Sequence, residues 1–151
     1  MAIERGEGDL TNASVDALVN PVNTAGVMGK GLALQFKKAF PDVFTAYARA
    51  CKQREVSIGR MHVVHRSSAP HFIINFPTKQ HWRQPSKLEY IEQGLVDLVT
   101  QIRELRIESI AIPPLGCGLG GLDWGEVRPR IVDTLGAVPE VRALIFEPAG
   151  Q

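Results

Sequence analysis

The stretch NFPTKQHWRQPS, Asn75 to Ser86, crowds a lysine, a histidine, a tryptophan and an arginine behind an apolar run from His71 to Phe76. A plain connector favours Gly, Asn, Asp and Ser. This one carries a potential nucleophile in Lys79, a flat aromatic surface in Trp82, and cationic groups able to meet phosphate. Lys79 is the only lysine between Met61 and Gln80. The plain alternative is a solvated surface lysine, which most lysines are. His81, Trp82 and Arg83 read either as local packing and surface exposure or as a nucleic-acid contact. In the second reading the ring stacks on an unpaired base, worth about 1–3 kcal/mol, and the arginine meets phosphate.

Two further segments carry chemistry. Gly116-Cys117-Gly118-Leu119-Gly120-Gly121 is a glycine-rich turn between an apolar run and a helix. Glycines permit positive φ and leave backbone N–H groups bare, so such a turn can wrap a phosphate, aided by the helix start. It lacks Gly-Lys-Ser/Thr and the G-x-G-x-x-G spacing, so it is neither a P-loop nor a dinucleotide fingerprint; a tight, empty turn is the other reading. Asp123 beyond it, with Glu126 three residues on, reads as a helix cap ahead of a catalytic carboxylate. Asn20-Pro21-Val22-Asn23 leads to Gly29-Lys30-Gly31. Its asparagines suit sugar hydroxyls or Asx-turns. Asp9, in Gly8-Asp9-Leu10-Thr11, is a turn residue or an acceptor for an exocyclic amine. Gathered at one edge of one sheet, these residues describe a pocket for a nucleotide with a diphosphate and an extra sugar.

The elements that must position them alternate. Strands are expected at Ala17–Val22, Met61–Arg66, Phe72–Phe76, Ile110–Leu115 and Val141–Phe146. Helices are expected at Gly29–Phe40, Asp42–Arg54, Leu88–Leu105 and Trp124–Leu135. Leu88, Ile91, Leu95, Leu98, Ile102 and Leu105 recur at helical spacing, and Ser86 with Glu89 makes a capping-box pattern. Strands separated by helices imply a largely parallel sheet covered on both faces, with ligands beyond the carboxyl ends of its strands. One domain is the expectation for 151 residues, 44% hydrophobic and 22% charged. A formal net charge of +1 confines any nucleic-acid contact to a local patch. Two cysteines make no disulfide framework and suit a reducing, cytoplasmic setting. There is no signal core and no spanning apolar run, so no membrane role is expected. No His/Cys/Asp cluster has metal-ligand spacing, and neither metal nor cofactor is expected. The chain ends soon after its last strand, at Pro148-Ala149-Gly150-Gln151, a natural terminus or the start of a longer chain.

EGDLTNASVDALVNPVNTAGVMGKGLA paired with IAIPPLGCGLGG resembles the macrodomains, ADP-ribose-binding α/β modules, over nearly the whole chain. GKGLALQFKKAFPD, NFPTKQHW and PLGCGL narrow the resemblance to the branch of terminal ADP-ribose protein glycohydrolases and DarG-type antitoxins. Phe-Pro-Thr-Lys followed by His-Trp-Arg is most similar to the DarG type. The resemblance implies a three-layer α/β/α sandwich with a mixed, mostly parallel six-stranded sheet over residues 1–151, as the N-terminal part of a longer antitoxin chain. It implies removal of ADP-ribose from thymidine bases of DNA, reversing a cognate ADP-ribosyltransferase toxin.

Residue by residue, Asp9 matches the aspartate that contacts the adenine amine, with Gly8 and Leu10 beside it. Asn23 matches the asparagine near the distal ribose, in a segment with Asn20 and Val22. Gly29, Gly31 and Leu32 fall in the first loop, and Gly116, Cys117, Gly118, Leu119 and Gly120 in the second, which wraps the diphosphate. Lys79, preceded by Thr78, matches the catalytic lysine. Its amine would attack an anomeric carbon and form a Schiff base, if partly desolvated, or stay charged and assist departure of the base. The protein-directed enzymes carry an aspartate where this chain has Gly120. A binding-only module, an O-acetyl-ADP-ribose deacetylase and a protein-directed hydrolase are the rival readings.

Overall fold

The computed structural model describes residues 2–148, so the expected chain end at Ala149–Gln151 lies outside the described residues. Six strands form one sheet: β1 (Ala2–Arg5), β2 (Ala17–Asn23), β3 (His62–His65), β4 (Phe72–Lys79), β5 (Ser109–Ile112) and β6 (Arg142–Ile145), in the order β1-β6-β5-β2-β4-β3. Every pairing is parallel except the edge pair of β3 and β4. Helices α1 (Gly31–Ala39) and α2 (Pro41–Lys52) cover one face; α3 (Leu88–Glu104) and α4 (Trp124–Leu135) cover the other. This is the three-layer sandwich with a mixed, mostly parallel sheet.

Period-two alternation along the central strands sorts the two cores. Ala17, Val19, Ile74, Ile110 and Ile112 meet the apolar stripe Ile91, Leu95, Leu98 and Ile102 of α3 and Val127, Ile131 and Leu135 of α4. Leu18, Ile73 and Ala111 point the other way, onto Phe36, Phe40 and Val43. The expected elements are present with shifted ends, and β1 is additional. Its sequence, AIER, is short and mostly exposed, with no alternation to reveal it.

Two prolines mark where the sheet opens. β2 pairs with β5 only at Ala17 and Leu18, yet continues to Asn23 along β4. Pro21 therefore sits where one edge of β2 is free, as a residue without a backbone N–H requires. β4 outlasts its β3 partner, whose register ends at Asn75, so Pro77 is tolerated and the strand runs to Lys79 rather than stopping at Phe76. The parting of β2 from β5 leaves a crevice beyond their carboxyl ends.

Ser86 departs from expectation. The N-cap of α3 is Lys87, with no side-chain cap bond. Ser86 instead donates its hydroxyl to Thr78 O and its backbone N–H to Gly120 O at 2.9 Å. Asp123 does cap α4, accepting from Gly125 N–H at 3.3 Å.

Candidate functional site

The crevice holds a cavity of about 740 Å³, within the range of small-molecule sites. Its walls come from the end of β2 (Val22, Asn23), the first loop and the start of α1 (Gly29, Lys30, Gly31, Leu32), and the end of β4 (Thr78, Lys79). Trp82 and Arg83 follow from the connection to α3, and Gly116 to Gly120 from the glycine turn. A second hollow of about 500 Å³ adjoins it, sharing Leu32, Pro113 and Pro114, and is lined by Gly8, Asp9, Leu10 and Phe146. Together they make an elongated cleft suited to an extended ligand.

Two of the expected contact residues line neither hollow. Asn20 is 0% exposed, and its amide donates to Asn75 Oδ1 at 3.0 Å. The pleat turns it into the sheet's interior, where it ties β2 to β4; this corrects its expected place in the site. His81 is exposed, stacks on Trp82 at 5.2 Å, and accepts the Arg83 N–H on Nδ1. Arg83 lies over the same indole at 4.4 Å. The indole already has two neighbours from its own segment, leaving less of it for an incoming base than a lone tryptophan would offer. Asp9 takes the turn reading, at a place where it also lines the second hollow. Its Oδ1 accepts from Thr11 N–H and Oγ1–H at 2.9 and 2.7 Å, capping the short turn at Leu10–Asn12, while Oδ2 keeps only a 3.5 Å contact to Asn12.

The glycine turn uses its glycines in different ways. Gly116 has φ +74°, and a Cβ there would lie 2.6 Å from Leu122 Cδ1 and 3.0 Å from Ser86 Oγ. Gly118 has φ +67° and nothing within 4 Å of such a Cβ, so a side chain there would enter open space at the cavity wall. Gly120 is buried, and a Cβ would come 3.1 Å from that of Ser86. A side chain in place of Gly120 would therefore have to displace the serine that joins the turn to β4. Leu119, 64% exposed, reaches toward the first loop: a Cβ on Gly31 would sit 3.3 Å from its Cδ1.

Among the described residues, the lining of the larger cavity carries three cations, Lys30, Lys79 and Arg83, and no carboxylate; the adjoining hollow adds Asp9 and Glu147. Lys79 is half-buried, with Nζ donating to Trp82 O at 3.2 Å. Burial, and then the positive charge of Lys30, lower its pKa below the usual lysine value. Cys117 is no rival nucleophile: burial and the Asp123 charge push its thiol up to about 11, so it is protonated near neutrality. Among the described residues no three His, Cys, Asp or Glu side chains gather into a metal-binding set. Sequence reasoning assigned no role to Lys30, although a lysine between two loop glycines was the available signal. It also passed over Tyr47, whose hydroxyl meets Asn23 at 2.6 and 2.8 Å; an aromatic residue on a helix reads as core.

Comparison with known proteins agrees with this geometry. The DNA ADP-ribosyl glycohydrolase of Mycobacterium tuberculosis is 57% identical over 150 residues, covering 98% of this chain and 43% of that protein. The chain thus spans less than half the length of that relative. The structure of the macrodomain of Mycobacterium tuberculosis DarG superposes with a TM-score of 0.96 at 56% identity, over 97% of this chain and 98% of that one. Thermosipho africanus DarTG in complex with ADP-ribose gives a TM-score of 0.90 at 38% identity, over 96% of this chain and 41% of that one. The Macro domain family profile matches residues 19–131. With its sandwich, its cleft beyond the parted strands and this match, the chain belongs to the macro domain family.

Proposed function

We propose that this macrodomain is a DNA ADP-ribosyl glycohydrolase. It binds ADP-ribose along the cleft and releases it from thymidine bases of single-stranded DNA, as the cytoplasmic antitoxin that reverses a DNA ADP-ribosyltransferase toxin. The observation that carries the reading is Lys79: an amine on the wall of a nucleotide-sized cavity, its proton loosened by burial and by Lys30. Only the neutral amine has a lone pair to use. In the proposed reaction that lone pair attacks the anomeric carbon of the distal ribose while the bond to the base nitrogen breaks. The base departs with the proton the nitrogen gives up. As the sugar opens, the nitrogen's second proton passes to the ring oxygen, and the resulting imine is held until water adds, releasing ADP-ribose and restoring the amine. Water is the only co-reactant. Asp9 and Leu10 would hold the adenine end, and the bare N–H groups of the glycine turn the diphosphate.

Charge placement supports a polymeric anion as the substrate. Residues 30–60 hold seven basic side chains (Lys30, Lys37, Lys38, Arg49, Lys52, Arg54 and Arg60) against Asp42 and Glu55, although the whole chain nets only +1. All seven are exposed, and none joins an ion pair among the described residues. This basic segment starts at the cavity with Lys30 and returns to the first loop at the end of α2, where Cys51 packs against Gly26. The test is single-turnover release of ADP-ribose from three substrates: a thymidine-modified single-stranded oligonucleotide, a modified protein and O-acetyl-ADP-ribose. Release from the oligonucleotide, weakening steeply as salt rises, is expected. Release only from the protein or the acetyl ester, or binding of ADP-ribose with no release from any substrate, would overturn the proposal.

A further inference from the structure

Asn23 ends β2 on the cavity wall, 6% exposed, and its carboxamide is engaged from several sides. Its Oδ1 accepts from the Ala25 N–H at 2.9 Å, the Tyr47 hydroxyl at 2.8 Å and, more weakly, the Val27 N–H at 3.4 Å. Its Nδ2 donates one hydrogen to Val27 O at 2.8 Å. Tyr47, on α2, is 0% exposed, and its hydroxyl also lies 2.6 Å from the backbone oxygen of Asn23. One phenolic proton therefore serves two acceptors of the same residue, and pins both its backbone and its side chain.

The donors converging on Oδ1 settle which way the amide faces. Turned over, the NH₂ group would meet the N–H groups of Ala25 and Val27, donor against donor. The oxygen is consumed within the protein. Among the described residues, the one polar group that the Asn23 side chain keeps for a ligand is the second N–H of Nδ2. Burial raises the Tyr47 pKa far above that of an ordinary phenol, so the hydroxyl remains a donor at every pH in which the protein works.

We propose that Tyr47 is a positioning residue that acts through Asn23, locking the carboxamide so that it presents an N–H, and never its oxygen, to a sugar hydroxyl of the bound nucleotide. This rests on the ADP-ribose reading of the cleft. Calorimetry with free ADP-ribose, on folded proteins verified by cooperative melting, tests it through Tyr47→Phe, Asn23→Ala and the double variant. Tyr47→Phe removes one hydroxyl and is expected to weaken binding about three- to tenfold, the worth of one hydrogen bond. Asn23→Ala should weaken it at least as much, and the double variant no further than Asn23→Ala alone, the non-additivity of residues acting as one unit. A role of Tyr47 in general stability alone would leave the two losses independent. Single losses that multiply in the double variant, or unchanged affinity in Tyr47→Phe, would overturn the inference. Asn23→Asp keeps an acceptor for Tyr47 and deletes the donor, so it serves even if Tyr47→Phe does not fold. Weakened binding is expected there, and parental affinity in that variant would overturn the donor role. Failure of the parent chain itself to bind ADP-ribose would bring down the reading of the site; binding by the parent with multiplying losses would bring down this inference alone.

Discussion

The connection from β5 to α4 meets the cavity with backbone, and the connection from β4 to α3 meets it with side chains. In the first, Gly116, Gly118 and Gly120 contribute by having no Cβ, because the space is filled by Leu122 and Ser86 at Gly116 and Gly120 and open at Gly118. In the second, Lys79, Trp82 and Arg83 reach the same cavity with an amine, an indole and a guanidinium. Ser86 joins the two, bonded to Thr78 O on one side and Gly120 O on the other. Under the proposed function the backbone half would hold the ligand and the side-chain half would carry the chemistry. Variants in the two halves should therefore fail differently.

The largest effect belongs to Lys79→Ala. If the amine acts in the transition state, single-turnover release from modified DNA should fall by about 10²–10⁴-fold. Affinity for free ADP-ribose should stay within a few-fold, since an interaction confined to the transition state leaves ground-state binding intact. Borohydride added during turnover should trap a covalent adduct on Lys79; full activity in the alanine variant would dissolve the division of labour. Gly118→Glu should fail the opposite way. A carboxylate beside the diphosphate costs several kcal/mol, about a hundredfold or more in affinity, in a protein that still melts cooperatively. The positive φ adds a strain of about 1–2 kcal/mol to its stability. Gly118→Ala carries that strain without the charge, so it should bind far better than the glutamate variant. Equal losses in the two would remove the electrostatic part of the argument.

How far each half was legible follows from the range over which its signal acts. The glycine turn and the apolar stripe of α3 are local patterns, and both are where the sequence places them. Lys79 was visible because an apolar run leads into it, though its last strand residues depend on pairing with β2, which no local window contains. Ser86 looked like a cap because Ser-x-x-Glu is a local signature, yet its bonds go to Thr78 and Gly120, one of them 34 positions away in the chain. Asn20 and Asn23 have the same side chain at the same strand end. Their odd spacing along β2 turns them to different sides, but that one meets Asn75 and the other the cavity depends on the pairing with β4, including its irregularity at Val22/Asn23. Tyr47 carried no signal at all, since its partner is 24 residues upstream.

Lys30 sharpens the comparison from across the cavity. Its charge is one of the two causes that lower the Lys79 pKa, the other and larger being burial. A nucleophilic amine is active when neutral, so single-turnover rate should rise with pH through that lowered pKa and then level. Lys30→Met removes the neighbouring charge and raises the Lys79 pKa, so the rising limb should move to higher pH and the rate near neutrality should fall. A rate that instead declines with rising pH would mean that Lys79 works in its charged form, as an acid or electrostatic group.

The smallest expected effect is at Asp123, and it guards the boundary of the backbone half. This chain has Gly120 where the resemblance places the aspartate of the protein-directed glycohydrolases, and Asp123 is the next acidic side chain along. Its geometry is that of a cap: Oδ1 accepts from Gly125 N–H at 3.3 Å, and the residue is absent from the cavity lining. Asp123→Ala should therefore lower stability by about 0.5–2 kcal/mol, toward the small end because the bond is long. In a domain of this size that moves the melting midpoint by a few degrees, about 2–4 °C per kcal/mol. Turnover and ADP-ribose affinity should hold within about twofold, the range left to a surface change away from the site. The Cys117 thiol, which the Asp123 charge helps keep protonated, should become more reactive toward a thiol reagent at a given pH. A stable Asp123→Ala protein that had lost its turnover would make Asp123 the missing carboxylate, and Lys79 would no longer carry the reaction alone.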